Sequence, residues 1–326
     1  MALTGTAAHA LPATAVPGLP VFSGLTRLLV VAPHPDDETI ATGLLIQQVR
    51  AAGGEVRILL LTGGDNNPWP QRWLERRVRI AAADRQRWGQ RRHAEMQQAL
   101  QRLDLPASAL ESMGWPDMGL TDCLLEPDGT AVSVLAAVIG RFRPDLIALP
   151  SIDDRHPDHG AAHVLVRLAL AGQPNPPRLL TYLVHGQARD TGFIELGSLP
   201  GQAANKQMAL AAHASQMALS GRRMRRLSAR PERYAEPTPS SSVLPWQPPF
   251  WLQPWLRLSL VSATGTQGWR WHDAPLWRDS RGDYRLSPVD YRAGHLQFAR
   301  LASTLPSPWI FDHWGWCELR GEPSPS

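Results

Sequence analysis

The apolar run Leu29-Val30-Val31-Ala32 breaks off at Pro33-His34-Pro35-Asp36-Asp37-Glu38, and a helix-forming stretch follows at once. So short and continuous an apolar run reads as a strand buried on both faces, the kind found in parallel sheets. The histidine and the adjacent carboxylates then sit at the strand's C-terminal end, at the mouth of a strand-to-helix turn. In open α/β sheets that edge is where ligands bind. A second cluster, His156-Pro157-Asp158-His159, stands in the same relation to the run Leu146-Ile147-Ala148-Leu149-Pro150. Two such ends meeting in space form a three-ligand metal site with one open position, the arrangement of catalytic zinc.

The rest of the pattern fits that frame. Strands are expected at residues 26–32, 56–62, 146–149 and 179–184, with a short one at 113–116. Helices are expected at 38–52, 90–103, 132–142, 159–171 and 203–219, and a loop over 65–88. Alternation of this kind predicts an α/β fold, a mostly parallel sheet with helices on both faces. It stops near residue 225. Residues 1–24 are small, apolar and proline-broken, a flexible lead-in. Residues 25–225 form the main domain. Residues 226–326 read as a linker and a small appendage, rich in tryptophan: nine of the thirteen lie between Trp246 and Trp316.

The charge is modest, 33 basic against 29 acidic residues, and arginine supplies nearly all the cations. Many fall at residues 72–92 and 222–226. They are either a solvated basic surface or a face for an anionic substrate or membrane surface. Nothing beyond charge suggests nucleic acid. Cys123 and Cys317 cannot build a disulfide framework, the N-terminus lacks the features of a signal peptide, and no stretch is apolar enough to span a membrane, so a cytoplasmic protein is expected.

Imidazole and carboxylate ligands suit a zinc-class ion. His34 and Asp37 lie three apart across a tight turn, and His159 adds a third donor from the second strand end. If Asp37 binds metal, Asp36 is free to act as general base and then acid, or else it caps the following helix. Glu38 reads as a support for the site or as a first-turn acid favoured by the helix dipole. His156 is placed to hydrogen-bond a developing oxyanion, and Asp158 to orient it or to cap the helix.

The two clusters together resemble those of the LmbE-like, or PIG-L, family of zinc-dependent N-deacetylases, over residues 26 to 220. Three weaker stretches follow in order: Arg92-His93-Ala94-Glu95, the segment from Gly114 to Leu120, and Lys206 through His213-Ala214-Ser215-Gln216. The resemblance implies a Rossmann-like domain and one Zn2+ per chain. It implies His34, Asp37 and His159 as metal ligands, Asp36 as base and His156 on the oxyanion. Arg92 and Asp117 match positions that contact substrate or tune the site. The expected reaction is removal of acetyl from an N-acetyl-hexosamine glycoconjugate. Asp154 stands where some relatives carry tyrosine, and the stretch from Gly63 to Trp69 departs from the loop of thiol-biosynthesis members. Trp69 and Arg72 are expected to line the substrate cleft, by stacking on sugar faces and pairing with anions, or else to anchor a long loop. Two rivals remain: a metal-dependent amidase or phosphoesterase acting on a non-sugar substrate, and a non-catalytic glycan-binding protein.

Overall fold

The structure, a computed structural model, describes residues 18–186, 192–237, 240–287, 296–307 and 310–320. Most of the expected lead-in, residues 1–17, lies outside them. In chain order the main unit runs β1 (Arg27–Ala32), α1 (Asp37–Ala51), β2 (Glu55–Thr62), α2 (Pro68–Glu75), α3 (Ala82–Arg102), β3 (Leu110–Trp115), α4 (Leu120–Leu125), α5 (Thr130–Phe142), β4 (Leu146–Pro150), α6 (Pro157–Ala169) and β5 (Arg178–Tyr182). It continues with β6 (Ile194–Leu196), α7 (Gln202–Ala212), α8 (Ala214–Ser228) and β7 (Glu232–Tyr234).

The five long strands pair in the order β3-β2-β1-β4-β5, all parallel. Successive side chains of a strand point to opposite faces. Leu28, Val30, Ile58 and Leu60 therefore meet α1, α3 and α7 on one side. Leu29, Val31, Leu59 and Leu61 meet α4, α5 and α6 on the other. The chain winds outward from β1 through β2 to β3, then restarts on the far side of β1 with β4. Crossovers on the two sides of that point leave to opposite faces, so a crevice opens at the carboxyl ends of β1 and β4. Both polar clusters leave the sheet there.

Several expectations are corrected. The stretch 65–88 is not all loop: α2 starts with Pro68 at a helix start, where proline is tolerated. Helix α3 begins at Ala82, eight residues earlier than the periodicity indicated, with Trp88 buried in it. The Asp84 carboxylate closes that start by accepting the Ala81 N–H at 3.0 Å. The single helix expected at 203–219 is two helices meeting at His213. No glycine or proline marks the break. The Glu95 carboxylate from α3 causes it by taking the Ser215 backbone N–H at 3.0 Å and its hydroxyl at 2.6 Å, capping α8 from outside. Helix α8 also runs through residue 226, where the main domain was expected to end. Beyond it, β7 pairs antiparallel with β6, and the Glu232 carboxylate receives the Leu44 and Leu45 N–H groups of α1 at 2.7 and 3.0 Å.

The remaining residues form β8 (Leu256–Ser262), β9 (Gly265–Arg270), β10 (Leu276–Arg278), β11 (Tyr284–Leu286), β12 (Gln297–Ser303) and β13 (Gly315–Leu319). Four of them make an antiparallel sheet in the order β13-β12-β8-β9. Trp246, Trp271, Leu258 and Leu301 fill its own small core, whereas Trp251, Trp255 and Trp277 are exposed. The sheet is seated on α6. Val261, Phe298 and Trp316 share a core with that helix, and Arg167 pairs with Glu318 at 2.8 Å. Position 160 must be glycine, because a Cβ there would stand 2.7 Å from the Trp316 ring. Among the described residues no helix is long and apolar enough to cross a membrane.

Candidate metal centre

The turn after β1 and the first turn of α6 bring His34, Asp37 and His159 together. The Asp37 Oδ2 atom lies 3.3 Å from His34 Nδ1 and 3.2 Å from His159 Nε2. All three side chains are buried. A tetrahedral ion with bonds of about 2.0–2.1 Å sets neighbouring ligand atoms about 3.3 Å apart, so these spacings suit one zinc-class cation. His159 Nε2 supplies a second test of fit. It is buried and close to a carboxylate, yet it has no hydrogen-bond partner. Once deprotonated, a buried ring nitrogen in that state presents a lone pair without a partner, which a cation supplies.

Each imidazole is aimed by a carboxylate on its other nitrogen. Asp158 accepts from His34 Nε2 at 3.2 Å and is itself fixed by the Met118 and Leu120 N–H groups at 2.8 and 3.2 Å. Asp154 accepts from His159 Nδ1 at 3.1 Å and from the backbone N–H groups of His156, Val184 and His185. Carboxylates in this outer position orient metal-binding histidines and raise their basicity. Asp154 therefore has a structural role. Asp158 serves His34, a partner the spacing had not indicated. Three further donor triples lie in the region, His34–His156–His159, Asp154–His159–His185 and His34–Asp117–Asp158, and each contains one or both of the cage histidines.

The electrostatics follow from the crowding. Burial opposes charge on His159, but Asp154 and Asp37 outweigh it and hold its pKa up to about 10. His34 is raised in the same way by Asp117, Asp158 and Asp37 against the cost of burial. Asp37 is held well below the usual carboxylate range, burial being overcome by His159 and His34.

Asp36 is not part of this cage. Its carboxylate accepts from Arg92 Nη2 at 3.1 Å, and its backbone N–H goes to Glu38 at 3.0 Å. Burial pushes its pKa up to about 6, against the pull of Arg92. Arg92 reaches it from α3 and also donates to Pro35 O and Gly64 O, each at 2.6 Å. Gly64 is required, since a side chain there would collide with the guanidinium. Arg92 is buried, so its bonds fix the loop under Asp36 rather than reach outward. Glu38 is tied to His213 Nε2 at 3.2 Å at the α7–α8 junction. Hence Asp36 is braced by two helices remote in sequence.

His156, whose ring lies 4.5 Å from that of His34, completes the floor. Its Nδ1 accepts the Asp158 N–H at 3.3 Å, so the neutral ring carries its proton on Nε2. Burial and the neighbouring imidazoles keep it neutral, with a pKa well below the usual histidine value. Asp117, also buried, lies 3.3 Å from His34 Nε2 and accepts the Asn66 N–H at 2.6 Å, which positions the start of α2 beside the site. Trp69 and Arg72 stand on α2, the tryptophan exposed and the guanidinium 5.2 Å over its ring. No contact joins either to the cage among the described residues. His185 went unnoticed in the sequence. It packs 4.9 Å from His159 and 5.4 Å from His156, ring to ring. Standing alone, with neither a second histidine nor an acidic neighbour beside it, it gave no signal.

Comparison with known proteins gives a consistent picture. A deacetylase of Mycolicibacterium smegmatis, "1D-myo-inositol 2-acetamido-2-deoxy-alpha-D-glucopyranoside deacetylase", is 31% identical over 193 residues, covering 54% of this chain and 66% of the relative. A protein of the same description from Mycobacteroides abscessus is 29% identical over 188 residues, covering 53% and 66%. The chain thus spans between about half and slightly under two thirds of the curated relatives it matches. Among solved structures, the conserved protein TT1542 of Thermus thermophilus superposes with a TM-score of 0.49 at 24% identity, over 68% of this chain and 99% of that one. Residues 29–170 match the family described as "PIG-L: GlcNAc-PI de-N-acetylase". The chain therefore carries a PIG-L (LmbE-like) family domain, with both polar clusters inside it.

Proposed function

We propose that the protein is a zinc-dependent hydrolase that removes the N-acetyl group from an N-acetyl-hexosamine glycoconjugate. One observation carries the reading: a three-donor cage of His34, Asp37 and His159 with a second carboxylate, Asp36, held beside it and committed to no cage atom. The names of the family and of the curated relatives support the substrate class.

His34 Nδ1, Asp37 Oδ2 and His159 Nε2 would hold a zinc-class cation, which would supply Lewis-acid polarisation of the amide carbonyl and lower the pKa of water. The chain's own residues do the rest. Asp36, ionised above its pKa of about 6, takes a proton from the attacking water as its oxygen bonds to the acyl carbon. The Nε2–H of His156 donates to the acyl oxygen as it gains negative charge. Asp36 then passes its proton to the nitrogen as the C–N bond breaks, leaving a free amine and acetate. Arg92 keeps Asp36 from remaining protonated in its buried position. Asp154 and Asp158 hold the cage imidazoles at the required angle.

The test is direct. Zinc-loaded protein incubated with N-acetylglucosamine and a panel of N-acetylated glycoconjugates should release acetate and an equal amount of amine. Absence of both on every member, with metal bound at one per chain, would remove the reading. Release of phosphate instead would favour a phosphoesterase.

A further inference from the structure

The C-terminal sheet reaches the metal-centre residues at Phe311. The ring of Phe311 lies 5.4 Å from that of His185 and 6.4 Å, edge-on, from that of His156. It is pinned there. The next residue, Asp312, donates its backbone N–H to Arg155 O at 2.7 Å, directly before His156. The Asp312 carboxylate takes Arg300 Nη2 of β12 at 2.8 Å. Because the sheet is locked onto α6 through Trp316 and Gly160, Phe311 keeps a fixed distance from the imidazoles. From the other side, α8 lays the Arg223 guanidinium 5.7 Å over the same ring. Arg223 is exposed, and among the described residues no carboxylate pairs with it. Helix α8 carries four arginines, Arg222, Arg223, Arg225 and Arg226, and no acidic residue.

We infer that Phe311 and Arg223, both outside the PIG-L match, form a substrate subsite beside the acetamide position for a sugar bearing an anionic substituent. An aromatic ring next to the reaction centre offers a face for the C–H surface of a sugar. An exposed guanidinium 5.7 Å over that ring stands beside the same face, and its planar fork can take a phosphate or carboxylate by two parallel hydrogen bonds. The other arginines of α8 add a field of the same sign. The inference rests on the deacetylase reading and adds which substrates that site prefers.

The experiment uses the zinc-loaded full chain and four probes: N-acetylglucosamine, neutral N,N'-diacetylchitobiose, N-acetylglucosamine 1-phosphate and N-acetylmuramic acid. Wild-type kcat/KM should be about tenfold higher for an anionic probe than for N-acetylglucosamine, and the two anionic probes separate phosphate from carboxylate. Arg223→Gln should bring that ratio close to one and weaken its dependence on ionic strength, the field of the other three arginines remaining. Phe311→Ala should lower the advantage of chitobiose and of the anionic probe together, and Phe311→Trp should restore it. Wild-type ratios preserved in both Arg223→Gln and Phe311→Ala would overturn the subsite. If no probe is turned over, the deacetylase reading fails, and calorimetric binding of N-acetylglucosamine 1-phosphate decides the subsite. Binding weakened about tenfold by Arg223→Gln supports it, and equal binding by the two proteins overturns it.

Discussion

At φ 116° Asp36 holds a backbone conformation that residues other than glycine rarely adopt. The Arg92 and Glu38 contacts hold it there and aim its carboxylate beside the cage. Replacing Asp36 with Asn should lower turnover by about 10²–10⁴-fold, while elemental analysis still finds one metal per chain. Because its pKa lies near 6, kcat/KM should fall as pH drops through that value. Arg92→Gln removes the cation that holds the pKa down, so the acid limb should move up by about one pH unit or more. The stability effect has the opposite sense. A carboxyl whose pKa is raised on folding binds its proton more tightly in the native state, so its contribution is present at low pH and is lost as pH rises towards 6. Metal-free Asp36→Asn should therefore melt higher than wild type at pH 7 and no higher at pH 3. In the cage, His159 carries a proton up to pH about 10, so metal must displace it. Zinc affinity should rise with pH, and titration calorimetry in two buffers should show proton release on binding. Asp154→Asn should cost about 10–100-fold in zinc affinity by freeing the His159 ring.

Among the elements, α1 depends on a partner distant in sequence. Lys206 and Glu232 form a buried pair at 2.6 Å, and the carboxylate also holds the Leu44 and Leu45 N–H groups and the Tyr234 hydroxyl. Glu232→Ala leaves a buried ammonium and orphaned amides. It should cost about 3–5 kcal/mol in urea unfolding, part of which Lys206→Met should recover. The same element-level logic explains the misread helix at 203–219. Helical periodicity runs through His213, and only the carboxylate of Glu95, over a hundred residues away, ends α7 and starts α8 there. Likewise the first turns of α3 are charged and tryptophan-bearing, so their apolar stripe is weak, and Trp88 finds its buried position only in the folded chain.

For the molecule as a whole, the main domain and the C-terminal sheet share one hydrophobic core across α6. Gly160→Leu should force Trp316 off the helix that carries His159. Limited proteolysis should then cut the C-terminal sheet selectively, and the chain should melt lower, with cuts confined to residues beyond 236. Unchanged digestion would mean that the sheet is held by contacts elsewhere.

The strand-end clusters were readable from local chemistry, because a buried strand must be apolar and its exit is where polar groups can first reach water. The parallel sheet and the two polar clusters followed from that, whereas His34, Asp37 and His159 were singled out within the clusters by their spacing and by the resemblance to the PIG-L family. Tertiary structure decided what surrounds them: Asp158 behind His34, Asp154 behind His159, Arg92 and Glu38 under Asp36, and Phe311 over His156. Most of those pairings join residues dozens to hundreds of positions apart. Sequence periodicity records which face of an element is apolar, and it does not record which distant polar group will satisfy a buried one.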